Sequence, residues 1–238
     1  MYKNTIIHPE WLHPASIQEA VVSQNQMAEQ VVIKDKLQKT PTLIAGMDTS
    51  NNLFDPTQRI FAATVILSYP ELSIKETATT VEIQEFPYIP GFLGFREAPA
   101  LISTFKKLSL YPDLIMVDGN GINHPRRLGI ASQLGVLLNI PTIGVAKNIL
   151  IGQPAGPLGE EVGSKVAVLH KEETVGMLLR TKKGARTRPI IVSAGHLVSL
   201  ETAVTLVLNC IKGYKLPEPT RQAHIAANTC RTSISKGT

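Results

Sequence analysis

The sequence predicts an α/β fold in which helices flank a mixed central sheet of three antiparallel strands followed by parallel strands. Two observations support this fold class. Apolar runs rich in β-branched residues follow one another closely in the first half of the chain, and apolar runs then alternate with helical segments. Short connections favour antiparallel neighbours, whereas an intervening helix favours parallel ones.

The first elements follow from their residue patterns. Residues 14–36 lack glycine and place apolar residues at roughly helical spacing, which predicts an amphipathic N-terminal helix. Residues 42–50, 59–69 and 73–83 are rich in β-branched residues and predict three strands. A loop is expected over residues 86–95.

The rest of the chain alternates between helical and apolar segments. Helices are predicted over residues 97–109, 126–139, 200–212 and 218–228. Further strands are predicted over residues 113–117, 142–145, 165–169, 174–179 and 190–192. Residues 229–238 are expected to form a flexible tail. This order of elements is the one expected of an RNase H-like fold.

The size and charge of the chain set broad limits on its function. Its 238 residues, 43% of them hydrophobic, can bury a full core, so we expect a single domain over residues 1–238. The net charge of +5 permits binding to a polyanion without requiring it. Cys210 and Cys230 are the only cysteines, which excludes a disulfide scaffold and a paired-cysteine zinc site.

No segment has the pattern of a signal peptide or a membrane span. Charged and polar residues occur throughout the stretch from Met1 to His13, and no later run approaches about 18 unbroken apolar residues. We therefore expect a soluble, cytoplasmic protein that does not bind membranes. A monomer is the expected state.

Two aspartates lie in strongly apolar strands. Asp48 falls within residues 43–50, where an unpaired carboxylate is costly to bury, and Asp118 follows the apolar residues 114–117. Alone, either is more often a turn or capping residue. Two such acids at corresponding ends of strands favour a metal site.

Glu97 and His224 are the other candidates for chemistry. Glu97 opens a predicted helix, where it could merely interact with the helix dipole, and a lone His224 is more often an ordinary surface or core residue. Hard divalent cations need a few convergent carboxylates, which Asp48, Glu97 and Asp118 can supply. Such a cation activates water and neutralises charge on a scissile phosphate. Candidates for a supporting role are His224, His124 and Lys147.

Five segments resemble successive motifs of the endonuclease V family. They are GMD (46–48), FPYIPGFLGFRE (86–97), VDGNGINHPRR (117–127), IGVAK (143–147) and LPEPTRQAH (216–224). The segments occur in the expected order over most of the chain. Five spaced motifs are far more specific than one short pattern.

The resemblance implies a DNA-repair endonuclease with an RNase H-like fold that acts on deoxyinosine, the product of adenine deamination. It implies hydrolysis of the second phosphodiester bond 3′ to the lesion, leaving 3′-hydroxyl and 5′-phosphate ends. The implied cofactor is Mg²⁺, with Mn²⁺ as an alternative. The implied metal ligands are Asp48, Glu97 and Asp118, which are also catalytic together with His224 and Lys147.

The resemblance also implies how DNA is held. The loop of Pro87, Tyr88, Ile89 and Pro90 resembles the family's wedge, which separates the strands while the damaged base enters a pocket. Two prolines stiffen this loop, and an aromatic ring can replace lost base stacking. A hydrophobic turn packed on the core is the alternative. The other implied nucleic-acid contacts are His124, Arg126 and Lys147.

Main-chain groups are implied to contact the extruded hypoxanthine, because glycine permits close approach of the backbone. The implied pocket residues are Gly91, Leu93, Gly119, Gly121 and Ile122. Four positions depart from the usual family residues and bear on pocket preference: Gly94 stands where Ser is common, Asn120 and Asn123 replace Gln and Ala, and Gln133 replaces His.

A set of basic residues could follow the phosphate backbone. It comprises Arg126, Arg127, Lys147, Arg180, Lys182, Lys183, Arg186, Arg188 and Arg221. For the run 182–188, a solvated hairpin tip is an equally good interpretation.

Three alternatives to the deoxyinosine endonuclease remain. They are an inosine-specific endoribonuclease of the same family, a general RNase H-like nuclease, and a non-catalytic nucleic-acid-binding module. The Tyr88 loop argues against the general nuclease, and the presence of Asp48, Glu97 and Asp118 argues against the non-catalytic module. The short chain favours DNA over RNA containing inosine.

Overall fold

The centre of the protein is one mixed β-sheet. The computed structural model describes residues 8–37, 39–52, 56–184 and 187–235. Within these residues the strands are β1 (Leu43–Asn51), β2 (Arg59–Ser68), β3 (Ile74–Ile83), β4 (Leu114–Asp118), β5 (Thr142–Ala146), β6 (Gln153–Pro154), β7 (Lys165–His170), β8 (Glu173–Leu179) and β9 (Ile190–His196). The helices are a short 3-10 helix (Pro9–Trp11), α1 (Ile17–Glu29), α2 (Leu93–Lys106), α3 (Ile130–Leu138), α4 (Leu200–Asn209) and α5 (Glu218–Ser235).

The strand order in the sheet is β3-β2-β1-β4-β5-β9-β8-β7-β6. The pairs β1–β2 and β2–β3 are antiparallel, and β1, β4 and β5 run parallel, as the sequence predicted. The remaining pairs, β5–β9, β9–β8, β8–β7 and β7–β6, are all antiparallel. The prediction of three antiparallel strands followed by parallel ones did not include this second antiparallel part of the sheet. The predicted α/β, RNase H-like fold class is confirmed.

Alternate residues of the central strands face two helical layers. On β1, Ala45 and Met47 pack in a core with residues of α1, α2 and α3, whereas Ile44 packs in a core with residues of α4 and α5. Successive side chains of a strand point to opposite faces, so this alternation follows from the sheet itself.

Among the described residues, none of the helices combines the length and the hydropathy that a membrane span requires.

The first helix is shorter than the predicted range 14–36. Its N-terminus is a capping box: the Ser16 hydroxyl accepts a hydrogen bond from the Glu19 amide, and the Glu19 carboxylate accepts one from the Ala15 amide. After Glu29 the chain turns towards the end of β9. There the Val32 amide donates to Nδ1 of His196, which replaces the bonds of a continuing helix.

Helix α2 begins at Leu93, so Glu97 does not open a helix as predicted. Phe92 and Phe95 are both buried in the core, and the Phe95 amide donates to the Phe92 carbonyl. Burial of these two rings fixes the first helical turn before Glu97 and shortens the predicted loop 86–95.

The ends of three other helices also differ from the prediction. Residues 126–129 do not belong to α3, since Arg127 has a φ of 57°, which is incompatible with a right-handed helix. Helix α4 ends at Asn209, before the predicted residue 212. Residues 229–235, predicted as a flexible tail, lie in α5, whereas residues 236–238 and Arg186 fall outside the described residues.

Candidate active site

Two aspartates meet on neighbouring parallel strands. Met47 of β1 is aligned with Val117 of β4, and the next residue on each strand is an aspartate. Asp48 is buried, and β1 continues past it to Asn51 because it still pairs with β2 there, so Asp48 is not at a strand end. Asp118 is the last residue of β4.

His224 of α5 completes this cluster. Asp48, Asp118 and His224 each offer one ligand atom, and these atoms lie within 4.8 Å of one another. The His224 Nδ1 is 2.7 Å from the Asp48 Oδ2, and the Asn228 Nδ2 donates to the His224 Nε2 at 3.1 Å. Because Nε2 accepts, we place the His224 proton on Nδ1, where it is donated to Asp48. This hydrogen bond raises the pKa of His224.

A close backbone contact brings α5 to this place. Gly46 precedes Asp48 by two residues on the same face of β1, and a Cβ there would overlap the carbonyl of Pro219 in the first turn of α5. The helix can therefore approach β1 only because residue 46 is glycine. One and a half turns later, α5 presents His224 to Asp48.

Lys147 lies just after β5 and binds the other aspartate. Its Nζ donates to the Asp118 Oδ2 at 2.7 Å. Burial lowers the pKa of Lys147, but the charge of Asp118 and the hydrogen bond outweigh that effect, so the pKa is raised. Lys147 therefore stays charged beside the carboxylates.

Glu97 is close to the cluster but does not belong to the set of mutually adjacent ligand atoms. Burial raises the pKa of Glu97 to about 8, the charge of Asp48 adds to this, and a hydrogen bond with the Thr49 side chain opposes it. Burial and the charge of Asp118 likewise raise the pKa of Asp48, against the hydrogen bond from His224. The site thus concentrates carboxyl groups that resist ionisation together.

This donor set fits a hard divalent cation. Carboxylate oxygens are the ligands that Mg²⁺ and Mn²⁺ prefer, and a bound cation would offset the burial of Asp48 and Glu97 in their charged forms. Of the three predicted ligands, the structure brings Asp48 and Asp118 together with His224 and places Glu97 beside them.

The predicted wedge loop has one exposed and one anchored side chain. The Tyr88 ring is 72% exposed, with the Arg96 guanidinium 5.9 Å from its centroid, whereas Ile89 packs against the core. Pro87 and Pro90 are exposed. Tyr88 is therefore available to an incoming molecule, and the loop is not simply a turn packed on the core.

Behind this loop lies a pocket of about 190 Å³. Its lining residues are Gln24, Tyr88, Ile89, Pro90, Gly91, Leu93, Gly94, Asn120, His124, Leu128, Gly129, Ile130 and Leu150. Of the predicted base-pocket residues, Gly91 and Leu93 line it.

The other predicted base-pocket residues, Gly119, Gly121 and Ile122, do not line the pocket. Their amides donate to the Val145 carbonyl, the Ser193 hydroxyl and the Ala194 carbonyl respectively. These bonds tie residues 119–122 to β5 and β9.

His124 and Arg126, both predicted to contact nucleic acid, are bound to the wedge loop in this structure. His124 is only 4% exposed, and both side chains donate to the carbonyl of Gly91 at the end of the wedge loop. In this structure they hold the loop.

Several residues of the predicted basic set are also held within the protein. Arg127 pairs with Glu173, Arg221 pairs with Glu218, and the Arg180 Nε donates to the Gly159 carbonyl. Lys147 is the member of the set that borders the carboxylate cluster.

The sequence interpretation missed several residues of the site. Gln24 lies with Ala20, Ser23 and Met27 on the buried side of α1, and a glutamine on such a stripe was a usable signal. Asn228, which contacts His224, lies four residues after it on α5, a spacing that places side chains on one helix face. Thr49 gave no signal beyond its position next to Asp48.

This chain is similar to known proteins along most of its length. The family model described as Endonuclease V matches residues 25–225. Endonuclease V of Protochlamydia amoebophila is 53% identical over 229 residues, which are 96% of this chain and 96% of that protein. The crystal structure of Endonuclease V from Streptomyces avermitilis has a TM-score of 0.85 at 35% identity and covers 99% of both chains.

A structure of Ciona intestinalis Endonuclease V in complex with a 24mer DNA containing an inosine followed by a ribo-adenosine is also similar. Its TM-score is 0.77 at 28% identity, over 93% of this chain and 99% of that chain. The five motifs, the fold and the extent of these matches confirm the resemblance found in the sequence. The chain belongs to the Endonuclease V family.

Proposed function

We propose that this protein is a metal-dependent DNA-repair endonuclease that recognises deoxyinosine and hydrolyses the second phosphodiester bond 3′ to it. The products would carry 3′-hydroxyl and 5′-phosphate ends. The observation that supports this most is the proximity of a carboxylate cluster to a pocket behind an exposed tyrosine. Asp118 and the pocket residue Asn120 are two positions apart, and the pocket residue Gly94 precedes Glu97 by one turn of α2.

The proposed cofactor is Mg²⁺, with Mn²⁺ as an alternative. Asp48 and Asp118 would hold it, with Glu97 and His224 at its border. When bound, such a cation supplies Lewis-acid chemistry at the scissile phosphate. Lys147 adds a positive charge beside Asp118, where it can offset negative charge on phosphoryl oxygens.

His224 is proposed to act through the proton on its imidazole Nδ1. Its Nδ1 proton is shared with Asp48, and its partly exposed ring is held in place by Asn228. The Ser50 hydroxyl donates to the Asn228 Oδ1 at 2.9 Å and so fixes that amide in turn. A histidine oriented in this way can move a proton to or from the reacting phosphate.

Tyr88 is proposed to be the wedge. Its exposed ring can stack on the base pair next to a lesion while the inosine enters the pocket, whose walls include Ile89, Pro90 and Leu128. An inosine mispair costs less to open than a normal pair, which favours the lesion.

Inosine-containing RNA is the second candidate substrate. The DNA bound to the Ciona protein carries a ribo-adenosine directly after the inosine, so that relative accepts a ribose at this position.

Single-domain organisation, a monomeric state and a cytoplasmic location are also proposals. One sheet receives strands from both halves of the described chain, which supports a single domain. Light scattering at enzyme concentrations used in assays would test the monomer.

The deciding experiment is cleavage of an end-labelled duplex with a single deoxyinosine. Its arms are an adenine control duplex, an inosine-containing RNA, and buffers with Mg²⁺, Mn²⁺ or EDTA. The variants are Asp48→Asn and, as a matched control, Glu160→Gln, which neutralises an exposed acid away from the cluster. A metal-dependent nick at the second bond 3′ to inosine, lost only in Asp48→Asn, is expected. Cleavage that ignores inosine, or no cleavage, would refute the proposal.

A further inference from the structure

The carbonyl oxygen of Gly91 accepts hydrogen bonds from three side chains. The donors are Nε2 of Gln24 at 3.0 Å, Nε2 of His124 at 3.1 Å and Nη2 of Arg126 at 2.8 Å. A carbonyl oxygen has two lone pairs, so three donors saturate it. Gly91 has a φ of +83°, a conformation that glycine adopts without strain and that directs this carbonyl towards the donors.

The three donors also fix one another. Burial and the charge of Arg126 lower the pKa of His124 to about 4, so its ring is neutral at pH 7. Its Nδ1 accepts from the Arg126 amide at 3.2 Å, which leaves the proton on Nε2 for Gly91. The Arg126 Nε donates to the Gln24 Oε1, and its guanidinium lies 4.4 Å from the centroid of the Phe92 ring.

The network is buried at Gln24 and His124 and half-buried at Gly91 and Arg126, and both ends of the Gln24 amide are used in it. Gln24 is 1% exposed and His124 is 4% exposed. Hydrogen bonds of this kind rigidify a structure, and losing the Gln24 amide would remove one donor from the Gly91 carbonyl and the acceptor of the Arg126 Nε. Gln24 belongs to α1, whereas His124 and Arg126 follow β4, so the network joins two distant segments at the end of the wedge loop.

We propose that Gln24 is a positioning residue which, with His124 and Arg126, locks the Gly91 carbonyl and so holds Tyr88 and the pocket wall in place before nucleic acid binds. This role rests on the proposed function of the wedge loop. Holding the loop in advance removes the cost of ordering it on binding. The contribution of this preordered loop to activity should be largest on duplex substrates, whose strands must be separated.

The first test measures the loop without any substrate. Gln24→Met keeps the length of the side chain and removes its hydrogen bonds, and Gln24→Glu keeps an acceptor for Arg126 but no donor for Gly91. Hydrogen exchange at the Phe92 amide, which donates to the Ile89 carbonyl, should become roughly tenfold faster in both variants, the effect of losing about one hydrogen bond.

Ser23→Ala is the matched control. Ser23 is the neighbouring buried residue of α1, and its hydroxyl donates to the Glu10 carbonyl at 3.1 Å, away from the wedge loop. It should leave exchange in the loop unchanged. Equal exchange in wild type and both Gln24 variants, or the same increase in Ser23→Ala, would overturn the proposal. Thermal unfolding of each variant verifies that it is folded.

The second test compares nicking of inosine in a duplex with nicking in a single strand. We expect Gln24→Met to lower kcat/KM roughly tenfold for the duplex and much less for the single strand, which needs no strand separation. An equal loss on both substrates would show a merely structural role. If wild type cleaves neither, the proposed function fails, while the exchange measurement still decides whether Gln24 holds the loop.

Discussion

Gly46 of β1 lies directly against the carbonyl of Pro219, and this contact sets the distance between β1 and α5. On the same two elements, the Asp48 carboxylate and the His224 ring are joined at 2.7 Å. The position of a histidine in the last helix therefore depends on the absence of a side chain in the first strand.

Replacing Gly46 with alanine should separate these groups. The added methyl group would overlap backbone atoms, which cannot rotate away as a side chain can, so α5 must shift. We expect Gly46→Ala to destabilise the fold by about 1–3 kcal/mol. Nicking of the inosine duplex should fall on the order of 100-fold, because small misplacements of catalytic groups are costly. Chemical denaturation and single-turnover nicking measure the two effects.

Gly156→Ala provides the control for this substitution. A Cβ at Gly156 would have no heavy atom within 4 Å, so stability and nicking should remain near those of wild type. If Gly46→Ala nicked the inosine duplex as fast as the wild type, the position of His224 would not depend on this contact.

Glu97 should make the metal-free protein less stable as the pH rises. Its pKa is about 8 in the folded protein against an ordinary value of 4.5, so between these values the folded state binds more protons than the unfolded state. The contribution of Glu97 to stability is thus fully present below pH 4.5 and is lost as the pH rises through about 8. Glu97→Gln, which stays neutral, should remove this part of the pH dependence.

Thermal unfolding in EDTA across this pH range measures the difference between wild type and Glu97→Gln. The Tm of Glu97→Gln should increase relative to that of the wild type as the pH rises. With Mg²⁺ the wild type should instead have the higher Tm. A ligand that binds the folded state more tightly stabilises it more, and the variant has lost a carboxylate. Identical pH profiles would show that the pKa of Glu97 is not raised in the folded protein.

The fold was largely predictable because the central strands carry their own signal. Runs such as 59–69 are so rich in β-branched and apolar residues that their burial on both faces follows. The start of α2 was not predictable in this way, since it depends on Phe92 and Phe95 reaching the core formed by distant residues. The antiparallel pairing of β5 with β9 likewise joins segments far apart in the chain.

The candidate site was predicted in its acids and less well in its surroundings. Asp48 and Asp118 stood out because a carboxylate in an apolar strand needs a partner. The family resemblance implied that His124 and Arg126 contact nucleic acid, but it gave no sign that both would donate to the Gly91 carbonyl. A single sequence does not show which carbonyl a side chain will reach.

Tyr88→Ala should affect activity without affecting stability. The ring is 72% exposed, so its removal costs little packing. If Tyr88 replaces base stacking at the lesion, nicking of the inosine duplex should fall tenfold or more, on the order of the energy of one aromatic–base stack. Tyr88→Phe retains the ring and should retain most activity. A similar loss on single-stranded and duplex inosine would argue against a wedge.

Gly94 and Gln133, two positions that depart from the usual family residues, occupy one space. A Cβ at Gly94 would overlap the Gln133 Oε1, and Gln133 is fully buried with its Nε2 bound to the Trp11 carbonyl at 3.1 Å. Gly94→Ser should therefore destabilise the protein by about 1–3 kcal/mol, the usual cost of overpacking.

The double variant Gly94→Ser with Gln133→His should recover much of this loss, because the imidazole is shorter than the glutamine side chain and leaves room for the serine. The two effects should then be non-additive by about 0.5–3 kcal/mol, as expected for residues in contact. Denaturant unfolding of both single variants and the double variant measures this coupling. Because Gly94 lines the pocket, the same variants should also change the ratio of duplex nicking at inosine to nicking at mismatched bases. Additive changes in the free energy of unfolding would show that positions 94 and 133 do not interact through the space they share.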